Sequence, residues 1–393
     1  MIEVVKPKFL SFICTTAHPA GCEELVRRQI DYVKSMPPTG QKRKVLVIGS
    51  STGYGLSSRI CAAWADGSPT IGVCFEKQAF KKRTATAGWY NTAAFEKFAA
   101  EDGLYAKTIN GDAFSKEVKD KTVELIKKDW GKADVVIYSL AAPRRTMADG
   151  TVYSSVLKTK DRPFTSKNLD IGKRKITQST ILPANAEEIE ATIKVMGGED
   201  WYEWMHTLKA AGVLADDAVT VAYSYIGPEL TYPIYFDGTI GQAKKHLYET
   251  ALKLQEEGMN AYISVNKALV TQSSAAIPIV PLYLSILYKV MKEAGVHEGT
   301  IEQMYRLWHD QLSSDAPETD APARIRLDDY EMRPDIQEKV MEGWNAVSDD
   351  NLTEYTDIDG YWEDLYQMFG FGFDHVDYDA AVETAQPIPS VEA

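Results

Sequence analysis

Two tyrosines and a lysine are the side chains best placed to do acid–base chemistry. Tyr225 lies in Ala222-Tyr223-Ser224-Tyr225-Ile226-Gly227-Pro228-Glu229. Tyr235 and Lys244 lie in Tyr235-Phe236-Asp237-Gly238-Thr239-Ile240-Gly241-Gln242-Ala243-Lys244-Lys245-His246. A phenol can donate a hydrogen bond or a proton to a developing oxyanion. An ammonium beyond it holds a nucleotide ribose and favours a more acidic phenol. In a dinucleotide-binding fold, that combination suggests reduction. Tyr235 and Lys244 are nine positions apart, about two and a half turns on a continuous helix, which puts them on opposite faces. They converge only if Tyr235 precedes the helix, and Gly238 and Gly241 permit a helix that begins near Gly241. Lys245 aligns no better, so spacing favours Lys244 only modestly. The chain has 21 tyrosines, and a core tyrosine with a satisfied hydroxyl is the ordinary state of any one of them. Chemistry alone leaves Tyr235 and Tyr225 as equal candidates.

A nucleotide site is legible upstream. Lys44-Val45-Leu46-Val47-Ile48 runs into Gly49-Ser50-Ser51-Thr52-Gly53-Tyr54-Gly55 and then a helical pattern. Glycines at those positions permit a tight turn and close backbone approach to a pyrophosphate, which meets the free N–H groups and positive dipole end of the helix. The placement between strand and helix makes the cluster informative. The second strand ends at Phe75-Glu76, where a carboxylate can accept hydrogen bonds from adenosine ribose hydroxyls and repel a 2′-phosphate. That favours NADH over NADPH, although Lys77, Lys81, Lys82 and Arg83 follow at once. Asp112-Ala113, after the third strand, suits the adenine amino group, with a helix N-cap as an equally good local explanation for the acid. Small residues in Tyr138-Ser139-Leu140-Ala141-Ala142 let backbone lie against the nucleotide ribose.

The elements that must position these residues alternate. Strands are predicted at Lys44–Ile48, Thr70–Phe75, Tyr105–Ile109, Val135–Tyr138, Val219–Ala222 and Ala261–Val265, with helices at Leu56–Trp64, Thr92–Glu101 and Ser115–Lys128. This order implies a Rossmann-type, doubly wound, mainly parallel α/β sheet flanked by helices. The interval between the fourth and fifth strands is too long for a plain crossover. It reads as an insertion over about 143–200, with helices at Ala186–Met196 and Asp200–Ala211. The rest is read as largely helical, with an acidic tail and a frayed Gln386–Ala393. The expected organisation is one elaborated domain over 1–393: a dinucleotide-binding core at 44–270, then substrate-covering helices and an extension at 271–393.

Composition excludes several classes. With 393 residues, 45% hydrophobic and 25% charged, the chain has ample core material. A net charge of −13 argues against nucleic-acid binding. The basic residues Lys158, Lys160, Arg162, Lys167, Lys173, Arg174 and Lys175 could receive phosphates or an acidic carrier, or simply form a solvated loop. Cys14, Cys22, Cys61 and Cys74 show no framework spacing, which fits a reduced, cytoplasmic protein. Cys14, His18 and Cys22 lack a nearby fourth ligand, so no metal is expected. There is no signal-peptide pattern. The apolar run Ala275–Leu287 contains Pro278 and Pro281 and is too short to span a bilayer. Ala275–Val290 reads equally as an acyl-channel lining or a plain core helix.

These stretches together resemble the FabV-type trans-2-enoyl-CoA reductase family, relatives of the short-chain dehydrogenase/reductases marked by a Tyr-x8-Lys motif. The resemblance is carried by Ala17–Cys22, Gly49–Gly55, Ala87–Asn91, Val195–Trp201, Tyr223–Glu229, Tyr235-x8-Lys244, Val270–Pro278, His297–Gly299 and Arg326–Asp329. It implies an oxidoreductase of fatty-acid synthesis that reduces trans-2-enoyl thioesters on acyl carrier protein or CoA with NADH. It further implies Tyr235 as proton donor, Lys244 as the ribose-binding lysine and Tyr225 as a substrate contact. Gly49, Ser50, Ser51, Thr52, Gly53 and Tyr54 resemble the pyrophosphate loop, and Phe75 and Glu76 the adenosine site. Asp112, Ala113, Leu140 and Ala141 resemble the other nucleotide contacts, and Leu269, Val270 and Thr271 the segment facing the nicotinamide. Gln242 departs from a Lys common in the family. A monomer or homodimer is expected. The alternatives are a short-chain carbonyl reductase or alcohol dehydrogenase, and a nucleotide-sensing regulator without catalysis.

Overall fold

A computed structural model of the chain describes residues 1–10, 13–275, 277–314 and 316–391. Ala276, inside the Val270–Pro278 stretch, and Glu392–Ala393, at the end of the expected frayed tail, lie outside the described residues.

The core is a sheet of seven strands. In chain order they are β1 Val45–Ile48, β2 Thr70–Cys74, β3 Ala106–Asn110, β4 Ala133–Tyr138, β5 Leu214–Ser224, β6 Asn260–Val265 and β7 Arg324–Arg326. Their spatial order is β7-β6-β5-β4-β1-β2-β3, and every ladder is parallel. β1 and β2 are buried at each position, as strands covered on both faces must be. Side chains alternate between the faces. Val45 and Val47 pack with α1 Pro19–Ser35, α2 Gly53–Asp66 and α3 Ala87–Glu101, whereas Leu46 and Ile48 pack with α4 Lys116–Asp129, α6 Glu199–Ala210 and α7 Thr239–Glu256. The chain reverses its build direction between β1 and β4. In such a sheet the crevice for a nucleotide opens there, outside the carboxyl ends of the strands.

The six predicted strands are present with shifted ends, most of all β5, which runs from Leu214 to Ser224. The insertion is built of two antiparallel hairpins, Arg144–Thr146 with Val152–Ser154 and Phe164–Asp170 with Lys175–Ile181, followed by α5 Ala186–Met196. Two expectations need correction. The sheet does not end inside 44–270, because β7 comes from the stretch read as helical; three residues are too few for a hydrophobic period to show. Nor is the described part of Gln386–Ala393 frayed. Ile388 is buried, and the Ser390 hydroxyl donates to Glu96 Oε1 at 2.6 Å while accepting from Thr108 N at 2.7 Å.

The apolar stretch after Ala275 forms the helix Val280–Glu293, whose buried residues include Leu282, Leu284, Ile286 and Leu287. It centres a third core cluster with Ile336, Val340, Trp344 and Tyr361. Among the described residues, no helix is long and apolar enough to cross a membrane.

Candidate active site

The glycine loop has the shape its sequence predicts. Gly49 and Gly53 have φ of 86° and 52°, in the left-handed region where a Cβ is penalised. A Cβ on Gly55 would lie 1.9 Å from the Gly49 carbonyl oxygen, so the helix can start this close to the strand only with glycine there. Thr52 precedes α2 without a side-chain cap. The first N–H groups of that helix therefore remain open to an anion.

Glu76 stands beside this loop. Its Oε1 accepts from Ser51 Oγ at 2.6 Å, and its Oε2 accepts from the Thr86 hydroxyl. Its backbone is held on both sides by Asn110, whose Oδ1 accepts from Glu76 N at 2.8 Å and whose Nδ2 donates to Glu76 O at 3.0 Å. Asn91 Nδ2 donates to Ser51 O at 3.1 Å. Asn110 and Asn91 were not read as site residues, because a side-chain amide that holds backbone leaves no pattern in a sequence. Phe75 is 75% exposed, and Lys77, Lys81, Lys82 and Arg83 all face solvent.

Asp112 is not the helix cap. Ser115 caps α4 by accepting from Val118 N at 3.2 Å, while Asp112 Oδ1 accepts from Phe114 N at 3.0 Å. Ala113 is buried, Leu140 half-buried and Ala141 exposed. All lie just past β3 or β4, on the same edge as the glycine loop.

The tyrosine–lysine geometry is decided at the start of α7. The helix begins at Thr239, two residues before the expected Gly241, and Tyr235 precedes it in the turn that follows the short 3-10 segment Glu229–Thr231. Lys244 points inward, with Nζ donating to Tyr223 O at 2.9 Å, whereas Lys245 is exposed beside Glu249. The rings of Tyr225 and Tyr235 meet edge to face, centroids 4.8 Å apart. No hydrogen bond reaches the Tyr235 hydroxyl among the described residues, while Tyr225 donates to Glu331 Oε1 at 3.0 Å. Both tyrosines line a cleft with about 540 Å³ of empty space, together with Tyr54, Lys267, Leu269 and Tyr283.

Electrostatics correct one expectation. Lys244 was expected to make the phenol more acidic, but burial, followed by the charge of Glu331, pushes Tyr235 above its ordinary value. Burial pushes Lys244 down to about 8 and Lys267 likewise to about 8, with Glu331 opposing the latter shift.

The Leu269–Thr271 segment is fixed by its own contacts. Ser274 Oγ donates to Leu269 O at 2.8 Å, Thr271 N donates to Ser274 Oγ at 2.8 Å, and Val270 N donates to the Tyr288 hydroxyl at 3.0 Å. Of the helix Val280–Glu293, Val280 and Tyr283 line the cleft, and the rest of its buried face is core. Tyr283, Lys267 and Glu331 were missed by sequence reasoning. Glu331 sits only two residues past Asp329, in a stretch whose other acids, Asp328 and Asp329, pair with Arg326 and Arg306.

Two other candidates resolve into structure. His18 Nδ1 accepts from Gly21 N at 3.2 Å and caps α1. Much of the basic patch has partners: Lys158 pairs with Glu188 at 2.6 Å, Lys173 with Asp170 at 3.2 Å and Arg174 with Asp359 at 2.7 Å. Lys167 donates to Trp344 O at 2.8 Å. Lys160, Arg162 and Lys175 are exposed.

Family models match nearly the whole chain. The NAD(P)H binding domain of trans-2-enoyl-CoA reductase matches residues 4–81, and the trans-2-enoyl-CoA reductase catalytic region matches residues 83–313. A model described as an enoyl reductase FAD binding domain matches residues 319–382. That last segment does not fit a flavin dinucleotide. Its strand β7 passes into Leu327-Asp328-Asp329, and among its described residues no glycine turn joins a strand to a helix. Its helix Pro334–Ala346 buries Ile336 and Val340 in the third core cluster. The trans-2-enoyl-CoA reductase [NADH] of Ruminiclostridium cellulolyticum is 54% identical over 97% of this chain and 98% of its own. The enoyl-[acyl-carrier-protein] reductase [NADH] of Methylobacillus flagellatus is 52% identical over 98% of each. The crystal structure of Treponema denticola trans-2-enoyl-CoA reductase in complex with NAD superposes with a TM-score of 0.95 at 45% identity, covering 98% of this chain and 99% of that one. The glycine loop, the tyrosine–lysine turn and these end-to-end matches together establish that the chain belongs to the trans-2-enoyl-CoA reductase family.

Proposed function

We propose that the protein reduces the trans-2 double bond of enoyl thioesters with NADH. The observation that carries this reading is the Tyr225–Tyr235 pair on one cleft at the carboxyl edge of the sheet, with half-buried Lys244 held by the Tyr223 carbonyl at the end of β5. The Gly49–Gly55 loop and the N-terminus of α2 would hold the pyrophosphate. Phe75 and Glu76 would border the adenosine ribose, Asp112-Ala113 the adenine, and Leu140-Ala141 the remaining nucleotide backbone. Lys244 would donate to the nicotinamide ribose hydroxyls, and Leu269–Thr271 would face the nicotinamide. The residues present therefore fit NADH, which supplies a hydride to the substrate β-carbon. As that bond forms, the double-bond electrons move to the thioester oxygen, and Tyr235 stabilises the enolate by donating to it, with Tyr225 beside it. The enolate then takes up a proton at the α-carbon by way of Tyr235, which is reprotonated from solvent, leaving a saturated acyl thioester. A phenol held above its ordinary pKa stays protonated through the neutral range, as a donor must.

Curated relatives are named for both CoA and acyl carrier protein, so either carrier is within this reading. The chain then works as one elaborated Rossmann-type domain, with 271–393 covering the substrate. It serves fatty-acid synthesis as a cytoplasmic monomer or homodimer.

Following NADH oxidation with crotonyl-CoA and with an enoyl-carrier protein tests the activity, and Tyr235→Phe tests the donor. Turnover should fall by roughly a hundredfold or more, with NADH affinity within about twofold of wild type. Wild-type turnover in that variant would reject the assignment.

A further inference from the structure

One group beside the cleft has no part in the chemistry above. Glu331 is fully buried, and three walls of the cleft converge on its carboxylate. Oε1 accepts from the Tyr283 hydroxyl at 2.7 Å and from the Tyr225 hydroxyl at 3.0 Å, while Oε2 accepts from Ala268 N at 2.6 Å. Gln337 Nε2 donates to Glu331 O at 2.7 Å and reaches the Tyr283 hydroxyl at 3.3 Å. Lys267, Asp328, Tyr54 and Tyr235 are the other ionisable groups that feel its charge.

Burying a carboxylate is costly, and a well-packed apolar side chain would stabilise the same space better. What an apolar side chain could not do is fix the rotation of two phenols and anchor a backbone amide at once. Tyr225 follows β5, Ala268 follows β6 and leads into Leu269–Thr271, and Tyr283 lies on the helix Val280–Glu293. We propose that Glu331 is a positioning residue for the reduction: it sets Tyr225 and the Ala268–Thr271 segment around Tyr235, so that the Tyr235 hydroxyl, whose proton is uncommitted, faces the thioester oxygen. The segment matched to a flavin module thus serves the cleft through this side chain. The proposal rests on the reading of Tyr235 as proton donor.

Glu331→Gln keeps the side-chain shape and removes the charge. With crotonyl-CoA, kcat should fall by about 10- to 100-fold, while the dissociation constant for NADH, followed by fluorescence, stays within about twofold. A merely structural role would weaken NADH binding along with kcat. Tyr283→Phe should give a smaller loss, and the double variant should be no worse than Glu331→Gln alone, since both changes act through one contact. Wild-type kcat, or losses that multiply independently, would overturn the proposal. If Glu331→Gln does not fold, Tyr283→Phe decides: lowered kcat with unchanged NADH affinity supports it, and unchanged kcat overturns it. Failure of the donor reading itself shows separately, as an active Tyr235→Phe.

Discussion

Lys244 is a cation held near the edge of its charged range. Its ammonium is pushed from an ordinary 10.5 down to about 8 by burial, with a single carbonyl, that of Tyr223, as its hydrogen-bond partner among the described residues. The ribose hydroxyls are bound best by the protonated form, because a charged donor makes the stronger bond. NADH affinity should therefore be full below about pH 8 and fall as pH rises through it. The expected loss is roughly tenfold, the scale of one charge-assisted hydrogen bond. Lys244→Arg, which does not titrate in this range, should flatten the profile. Fluorescence titration of NADH across neutral and alkaline pH reads both, and a flat wild-type profile would contradict the role. Stability should move the opposite way. The folded pKa lies below the unfolded one, so the cost of the buried charge is full below about 8 and is relieved as pH rises towards 10.5.

The turn that carries Tyr235 owes its shape to neighbours on both sides. On the α7 side, a Cβ at Gly241 would lie 1.9 Å from the Phe236 carbonyl oxygen and 2.2 Å from that of Tyr235. The helix can therefore sit against these carbonyls only with glycine there. On the other side stands the insertion. Thr239 N donates to Lys158 O at 3.0 Å, and Thr239 Oγ1 donates to Val156 O at 2.6 Å. The stretch between the two hairpins thus clasps the start of α7. Gly241→Ala should cost ~1–3 kcal/mol of stability from overpacking. It should also lower kcat by roughly tenfold or more, since small misplacements of reacting groups are expensive. Thermal unfolding and NADH-oxidation assays check the two halves of that expectation. An alanine variant with wild-type kcat would show that the turn tolerates displacement.

Across the whole molecule, the described segments near both termini are structural. Ile2–Val4 pairs antiparallel with Ala381–Glu383, and the stretch beyond Thr384 runs on to the edge strand β3. There Ser390 accepts from Thr108 N, taking up a donor that an uncovered edge would offer to another chain. Ile388 is buried beneath it. Truncation after Ala385 should lower stability by about 2–4 kcal/mol, combining the burial of one large aliphatic side chain with the lost hydrogen bonds. It should also promote association through the bared edge. Urea unfolding and light scattering measure these outcomes, and a variant as stable and as dispersed as wild type would show the tail to be dispensable.

The parallel core and the nucleotide crevice were legible in the sequence because local rules dictate them. Continuous apolar runs such as Val45–Ile48 specify doubly covered strands, and Gly49, Gly53 and Gly55 specify a loop that few other residues can build. The tyrosine–lysine pair was half legible: helical period required Tyr235 to lie outside α7, as it does, but could not choose between Tyr235 and Tyr225. Tertiary structure decided what depends on distant segments meeting. It placed β7 on the sheet, laid the C-terminal stretch on β3, and brought Glu331 to Tyr225, 106 residues away along the chain. It also raised the Tyr235 pKa, where a lysine nine positions on had suggested the reverse. Burial and field at a phenol are sums over everything packed around it, and sequence spacing carries no record of that sum.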